Sequence, residues 1–189
     1  MEKTDEDVSL EQLERGIIID NYFYEFEMKT VYNDFIQILV PKVFFEMPSE
    51  LRYLKYGLTQ PAGYLMMSPG GAIDMGISVI DNFSLESPLV DAIKESHQAL
   101  HRSNPGCVYD NDYIVFDSNE KEVVVSSAAI QTVDGLIKSY YGHLLTGKQV
   151  VAVTLNTPYS DDSPWENVFC QLMKSIRIQY GIHTKFHRF

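Results

Sequence analysis

The chain has 189 residues, 45% hydrophobic and 12% aromatic, with a formal net charge of −11. That content excludes a disordered or coiled-coil class and suffices for one domain with its own core. The 15 basic residues against 26 acidic ones argue against a nucleic-acid partner, and no apolar run approaches the roughly 18 residues of a membrane-inserted helix.

In chain order, residues 1–15 read as an acidic N-terminal arm or one short docked helix, with Val8, Leu10 and Leu13 as its sparse apolar positions. This opening is not a basic segment followed by an apolar one, so no signal peptide is expected and the expected location is cytoplasmic. Residues 17–28 and 34–40 alternate as two strands, paired as a hairpin around Tyr32–Asp34 and ended by Pro41, which has no N–H to donate. Residues 42–60 mix polar and aromatic side chains with little periodicity. Two further strands, 62–67 and 72–80, flank the turn Ser68-Pro-Gly-Gly71.

Ser87 and Pro88 signal the start of a helix over 87–103, with Leu89, Ile93, Ser96 and Leu100 as its inner stripe. Strands follow at about 109–116, 123–132, 136–145 and 148–155, separated by breaks such as Asp134-Gly135 and Thr146-Gly147 that are too short for parallel crossovers. The clearest module comes last. The apolar run Val150–Leu155 reads as a buried strand, and Ser163 with Pro164 and Glu166 reads as the capped start of a helix. Along that helix Trp165, Phe169, Leu172 and Ile176 form one stripe that must lie on a sheet. The reading is therefore α+β: a central antiparallel β-sheet flanked by helices, a single domain over 16–178 and a basic C-terminal tail over 179–189, with pairing of that tail and the acidic arm left open.

No catalytic motif accompanies this fold, and no enzyme class is favoured. His97 and His101, and again His183 and His187, have the spacing two metal ligands need, but no carboxylate stands at the offset of a metalloprotease helix. The helical histidines read as flank residues whose ring tips reach water. Asp110, Asp112, Asp117 and Glu120 read as turn carboxylates rather than a calcium loop, and Cys107 and Cys170 as reduced thiols. Neither a metal nor another cofactor is expected. The aromatic load of the first third is more informative. Tyr22, Tyr24, Tyr53, Tyr56 and Tyr64 are the candidate partner-binding residues, because tyrosine supplies large contact area at low entropy cost.

The order of elements resembles the PsbP-like superfamily. The resemblance rests on the strand ending Ile38-Leu-Val-Pro41 with Phe44 after it, on Lys55-Tyr56 and Pro61, and on the strand Gly76–Ile80 before a helix. It continues through the late hairpins to the closing helix from Trp165 to Ser175-Ile176, and covers about residues 17–178. The group includes the photosystem II extrinsic protein, a Ran-binding nuclear import factor, DcrB-like bacterial lipoproteins and chaperones for secreted effectors. It implies a sheet sandwiched between helices and a binding or scaffolding role without catalysis; it carries over no site residues, and the lipoprotein signal is not visible here. The expected function is a non-enzymatic adaptor or chaperone, secretion-associated or not, that binds another protein through a sheet face or edge. A homodimer is left open. The alternative is a small-molecule or enzymatic pocket between sheet and helices, lined by Tyr and Met.

Overall fold

The structure, a computed structural model, describes residues 8–32, 34–56, 63–81, 87–110, 113–117, 121–161 and 163–179. The basic tail beyond 179 with His183 and His187, together with Pro61, Asp112, Glu120 and most of the expected pairing of termini, lies outside these residues.

The acidic arm contains a helix, α1 (Leu10–Arg15), closed by a reciprocal capping box. The Ser9 hydroxyl accepts the Gln12 N–H at 3.2 Å, and the Gln12 carboxamide oxygen accepts the Ser9 N–H at 2.6 Å. The single strand expected over 17–28 is broken by Asp20 and Asn21. Both are left-handed, as a two-residue hairpin turn requires, so β1 (Ile17–Ile19) and β2 (Tyr22–Tyr24) pair by themselves. After Glu25 the chain forms β3 (Phe26–Val31), which pairs with β4 (Ile36–Pro41) around the left-handed Tyr32 and Asp34. The last strand, β13 (Arg177–Ile178), joins the other edge of β4.

Residues 42–60 contain the short β5 (Phe45–Glu46) and a helix absent from the sequence expectation, α2 (Ser49–Tyr56). No residue of α2 is buried, so it has no inner stripe for periodicity to reveal.

The large sheet is built from β6 (Tyr64–Met67), β7 (Asp74–Ile80), β8 (Cys107–Tyr109), β9 (Ile114–Asp117), β10 (Glu122–Thr132), β11 (Gly135–Thr146) and β12 (Gln149–Pro158), together with β5. Its order is β5-β6-β7-β12-β11-β10-β8, with β9 also on β10, and each of its pairings is antiparallel. Its strands do not all follow one another in chain order. The chain leaves at β7, crosses through α3 (Leu89–Ser103), and returns so that β12 closes against β7.

The register gives the sheet two unlike faces. Met75, Ile77, Val151, Val153, Leu155, Tyr140 and Leu144 belong to the main core under α4 (Trp165–Lys174), which also packs against β4 of the smaller sheet. Trp165, Val168, Phe169, Leu172 and Met173 of α4 and Ile176 beyond it are buried. The helix approaches so closely that a Cβ on Gly142 would meet the Met173 sulfur at 2.3 Å. Every second residue of the same strands faces the other way, where α2 and α3 lie.

Both long helices start later than the serine signals imply. The N-cap positions are Pro88 and Pro164, neither with a side-chain cap bond. Ser163 receives only a 3.4 Å contact from the Trp165 N–H. A proline near a helix start removes a donor that would be orphaned there, so the lost cap costs little. On α3 the buried residues are Leu89, Ile93 and His97, while Ser96 and Leu100 are exposed. The inner stripe is rotated because the surface beneath it is aromatic and accepts a flat imidazole.

A cleft between the second helix and the longest hairpin

On the α2/α3 face the register aligns Asp74 of β7, Asn156 of β12 and Ser139 of β11 in one row across three central strands. Three polar residues in the middle of a sheet must satisfy one another. The Asn156 amide donates to Asp74 Oδ1 at 2.8 Å, and the Ser139 hydroxyl donates to the Asn156 carbonyl oxygen.

α2 completes the network from above. The Tyr56 hydroxyl donates to Asp74 Oδ1 at 2.6 Å, and the Lys55 ammonium pairs with Asp74 Oδ2 while reaching the Gly71 carbonyl at 3.3 Å. Arg52 donates to the Met47 carbonyl at 2.9 Å and pairs with Glu46 at 3.2 Å. Asp74 is fully buried, whereas Lys55 keeps part of its side chain in water. Burial and the neighbouring Asp74 charge push the Tyr56 hydroxyl well above the usual tyrosine range, so it serves as a permanent donor. α2 is thus docked mainly by polar contacts, with the Tyr56 ring packed beside Met47, Leu65 and Met67.

Between α2 and the turn joining β10 to β11 runs a cleft of about 690 Å³. Leu51, Leu54, Lys55 and Tyr56 form one wall, and Val133, Leu136 and Ile137 the other. Asp74 and Asn156 lie at the floor, with Met47 and Met67 lining it too. Its apolar rim is unusually wet: Leu54 is 78% exposed and Val133 fully so. An apolar rim thus surrounds a polar, hydrogen-bonded floor. Among the described residues no group of three His, Cys, Asp or Glu side chains is placed to hold a metal.

A second, smaller hollow of about 270 Å³ lies beside α3, lined by Lys94, His97, Gln98, His101, Tyr109 and Tyr113, among others. The His97 ring stacks on Tyr109 at 3.9 Å between centroids, and its Nδ1 meets the Tyr113 hydroxyl at 2.9 Å. Nearby, His143 of β11 keeps a buried Nδ1 without a partner among the described residues. Burial lowers the pKa of both histidines to about 4, and His97 adds to the effect on His143. His101 Nδ1 donates to the Cys107 carbonyl at 2.7 Å. His97 is therefore a buried, neutral, stacking residue and not a flank residue with its tip in water.

No protein-family model matches the chain, and no curated protein matches it in sequence. Solved structures do. The cyanobacterial PsbP protein CyanoP of Synechocystis superposes with a TM-score of 0.59 at 9% identity, over 82% of this chain and 92% of that one. The Ran-binding protein Mog1p of Saccharomyces cerevisiae superposes with a TM-score of 0.54 at 11% identity, over 82% of this chain and 96% of its own. The fold is PsbP-like.

On this PsbP-like frame the five tyrosines singled out in the sequence do not converge. Tyr56 lines the cleft, and Tyr53 lies exposed on the same helix. Tyr22 is exposed on the β1–β2 hairpin, beside Phe23 and Ile18. Tyr24 packs edge-on against Trp165 at 5.2 Å, and Tyr64 is half-buried with the Lys29 ammonium 5.6 Å over its ring. Sequence reasoning missed Asp74, Asn156, Leu54 and Val133. One signal was available for the first: a lone carboxylate within the apolar strand 72–80.

Proposed function

We propose that this chain is a non-enzymatic protein-binding adaptor or chaperone, and that the cleft between α2 and the β10–β11 turn is where its partner docks. The observation that carries this reading is the rim. Leu51, Leu54, Val133 and Leu136 form an apolar border exposed on both walls, which a monomer leaves in water only at a cost that a partner removes. One structural neighbour, Mog1p, is a Ran-binding protein, so the frame supports recognition of a protein in at least that case. No described helix is long and apolar enough to cross a membrane.

A second reading, a small-molecule pocket, draws on the Met47, Met67 and Tyr56 lining and on a volume in the range of ligand sites. Against it, the most exposed apolar side chains stand at the mouth, where a small ligand would leave them uncovered. Site-specific photo-crosslinking in the native host separates the readings. A photoreactive residue at Leu54 is expected to give a discrete protein adduct that one at Leu100, on the outer side of α3, does not give. Equal labelling at both positions, or none at Leu54, would refute the docking surface.

A further inference from the structure

We infer that the occupant of the cleft is a short amphipathic segment whose apolar side chains are flanked by lysine or arginine; this deepens the docking proposal and rests on it. Charge complementarity points to such an occupant. Among the described residues the charged side chains lining the cleft are Asp74 and Asp134 against Lys55, and Glu46, Glu50 and Arg52 adjoin lining residues in sequence. Both cations are already engaged inside the fold, Arg52 with Glu46 and Lys55 with Asp74.

The floor is closed to a partner's ion, since Asp74 is fully buried and already accepts from Tyr56 and Asn156 and faces Lys55. The rim is open. Glu50, one residue before Leu51 on α2, and Asp134, one residue after Val133 on the opposing turn, are exposed and carry no ion pair among the described residues. Asp134 lines one wall of the cleft, and Glu50 stands on α2 beside Leu51 of the other, so each carboxylate is next in sequence to an apolar rim residue. A segment presenting a cation beside each apolar anchor satisfies both walls at once. An acidic segment meets these two carboxylates and the −11 charge of the chain. Rim charges set on-rate and selectivity more than depth of affinity, so the preference is expected to be steeply salt-dependent.

The test is differential selection from a random peptide display library against the wild-type chain and against a Val133→Asn/Leu136→Asn variant, which removes the apolar rim without adding charge. Peptides that need the cleft are expected to be enriched in Lys and Arg adjacent to apolar residues. Glu50→Gln and Asp134→Asn, both mild at exposed positions, are each expected to weaken those peptides by about threefold, and 0.5 M salt by more. Wild-type unfolding of both variants in urea confirms that the loss is one of recognition. Cleft-dependent peptides that are neutral or acidic overturn this inference while leaving the docking site intact. Recovery of no cleft-dependent peptide overturns both.

Discussion

The two faces of the large sheet are made by alternate residues of the same strands, yet they are held by different physics. Toward α4, residues such as Val151, Val153 and Leu155 meet a helix that buries Trp165, Phe169, Leu172 and Met173. Toward α2, the next residues along, Asn156 and its partners Asp74 and Ser139, form a polar row that holds a helix with no buried residue. The first face is a dry core whose contacts are many and non-directional. Under α2 the second relies on a few directional contacts and leaves an apolar cleft open beside them, while under α3 Leu89, Ile93, Val124 and Val150 form a smaller apolar cluster. One register thus builds the main core on one face and leaves an open cleft on the other.

The largest break in that contrast comes from the core. Trp165→Ala is expected to cost about 3–5 kcal/mol in urea unfolding, since it removes a fully buried side chain of the largest volume present. A loss below about 1 kcal/mol would mean that α4 is not the keystone of the core. Next is the polar row. Asp74→Ala leaves Tyr56 and Asn156 without their acceptor and Lys55 without its counter-ion, a cost of about 1–3 kcal/mol. Amide exchange is expected to rise throughout α2 while α4 stays protected; equal loosening of both helices would contradict the separation of the faces.

The region under α3 sharpens the comparison through pH. His97 and His143 titrate near 4 in the folded chain and near 6.5 when unfolded, so the unfolded state takes up protons first as pH falls. Their neutral burial therefore favours folding fully above about pH 6.5, and the advantage is lost progressively toward pH 4. Between about pH 6.5 and 5 the loss is expected to be roughly 1–2 kcal/mol for each histidine, and His97→Phe, which keeps the stack on Tyr109, should remove about half of the total. A stability curve unchanged by that substitution would show that His97 is not a sensing group. The smallest stability effect belongs to the cleft rim. Leu54→Asn or Val133→Asn should move unfolding by no more than about 0.5 kcal/mol, since both side chains already stand in water, while abolishing partner capture.

How much of this could be read in advance follows the same division. α4 was legible because Trp165, Phe169 and Leu172 repeat at the helical period and must be covered. The hairpins were legible because Asp134-Gly135 and Thr146-Gly147 punctuate them, with Gly135 and Gly147 both at positive φ. α2 was not, because what holds it is distant in the chain: Lys55 and Tyr56 depend on Asp74 and Asn156, brought together only by the β7–β12 register. Periodicity also misplaced the inner face of α3, since counting His97 as polar hides a ring that packs as an aromatic. By sequence Tyr56 offers contact area to a partner, yet in the fold its hydroxyl is spent on Asp74. The exposure of Leu54 and Val133 is a property of the assembled cleft and has no signature along the chain.

The division between the faces is tested most directly by following methyl resonances while a cleft-selected peptide is added. Met47 and Met67 line the cleft, whereas Met173 lies in the core against Gly142 on the opposite face. The Met47, Met67, Leu54 and Val133 methyls are expected to shift together and saturate at one affinity while Met173 stays still. Shifts centred on Ile18 of the β1–β2 hairpin, or spread equally to Met173, would place recognition elsewhere and contradict that division.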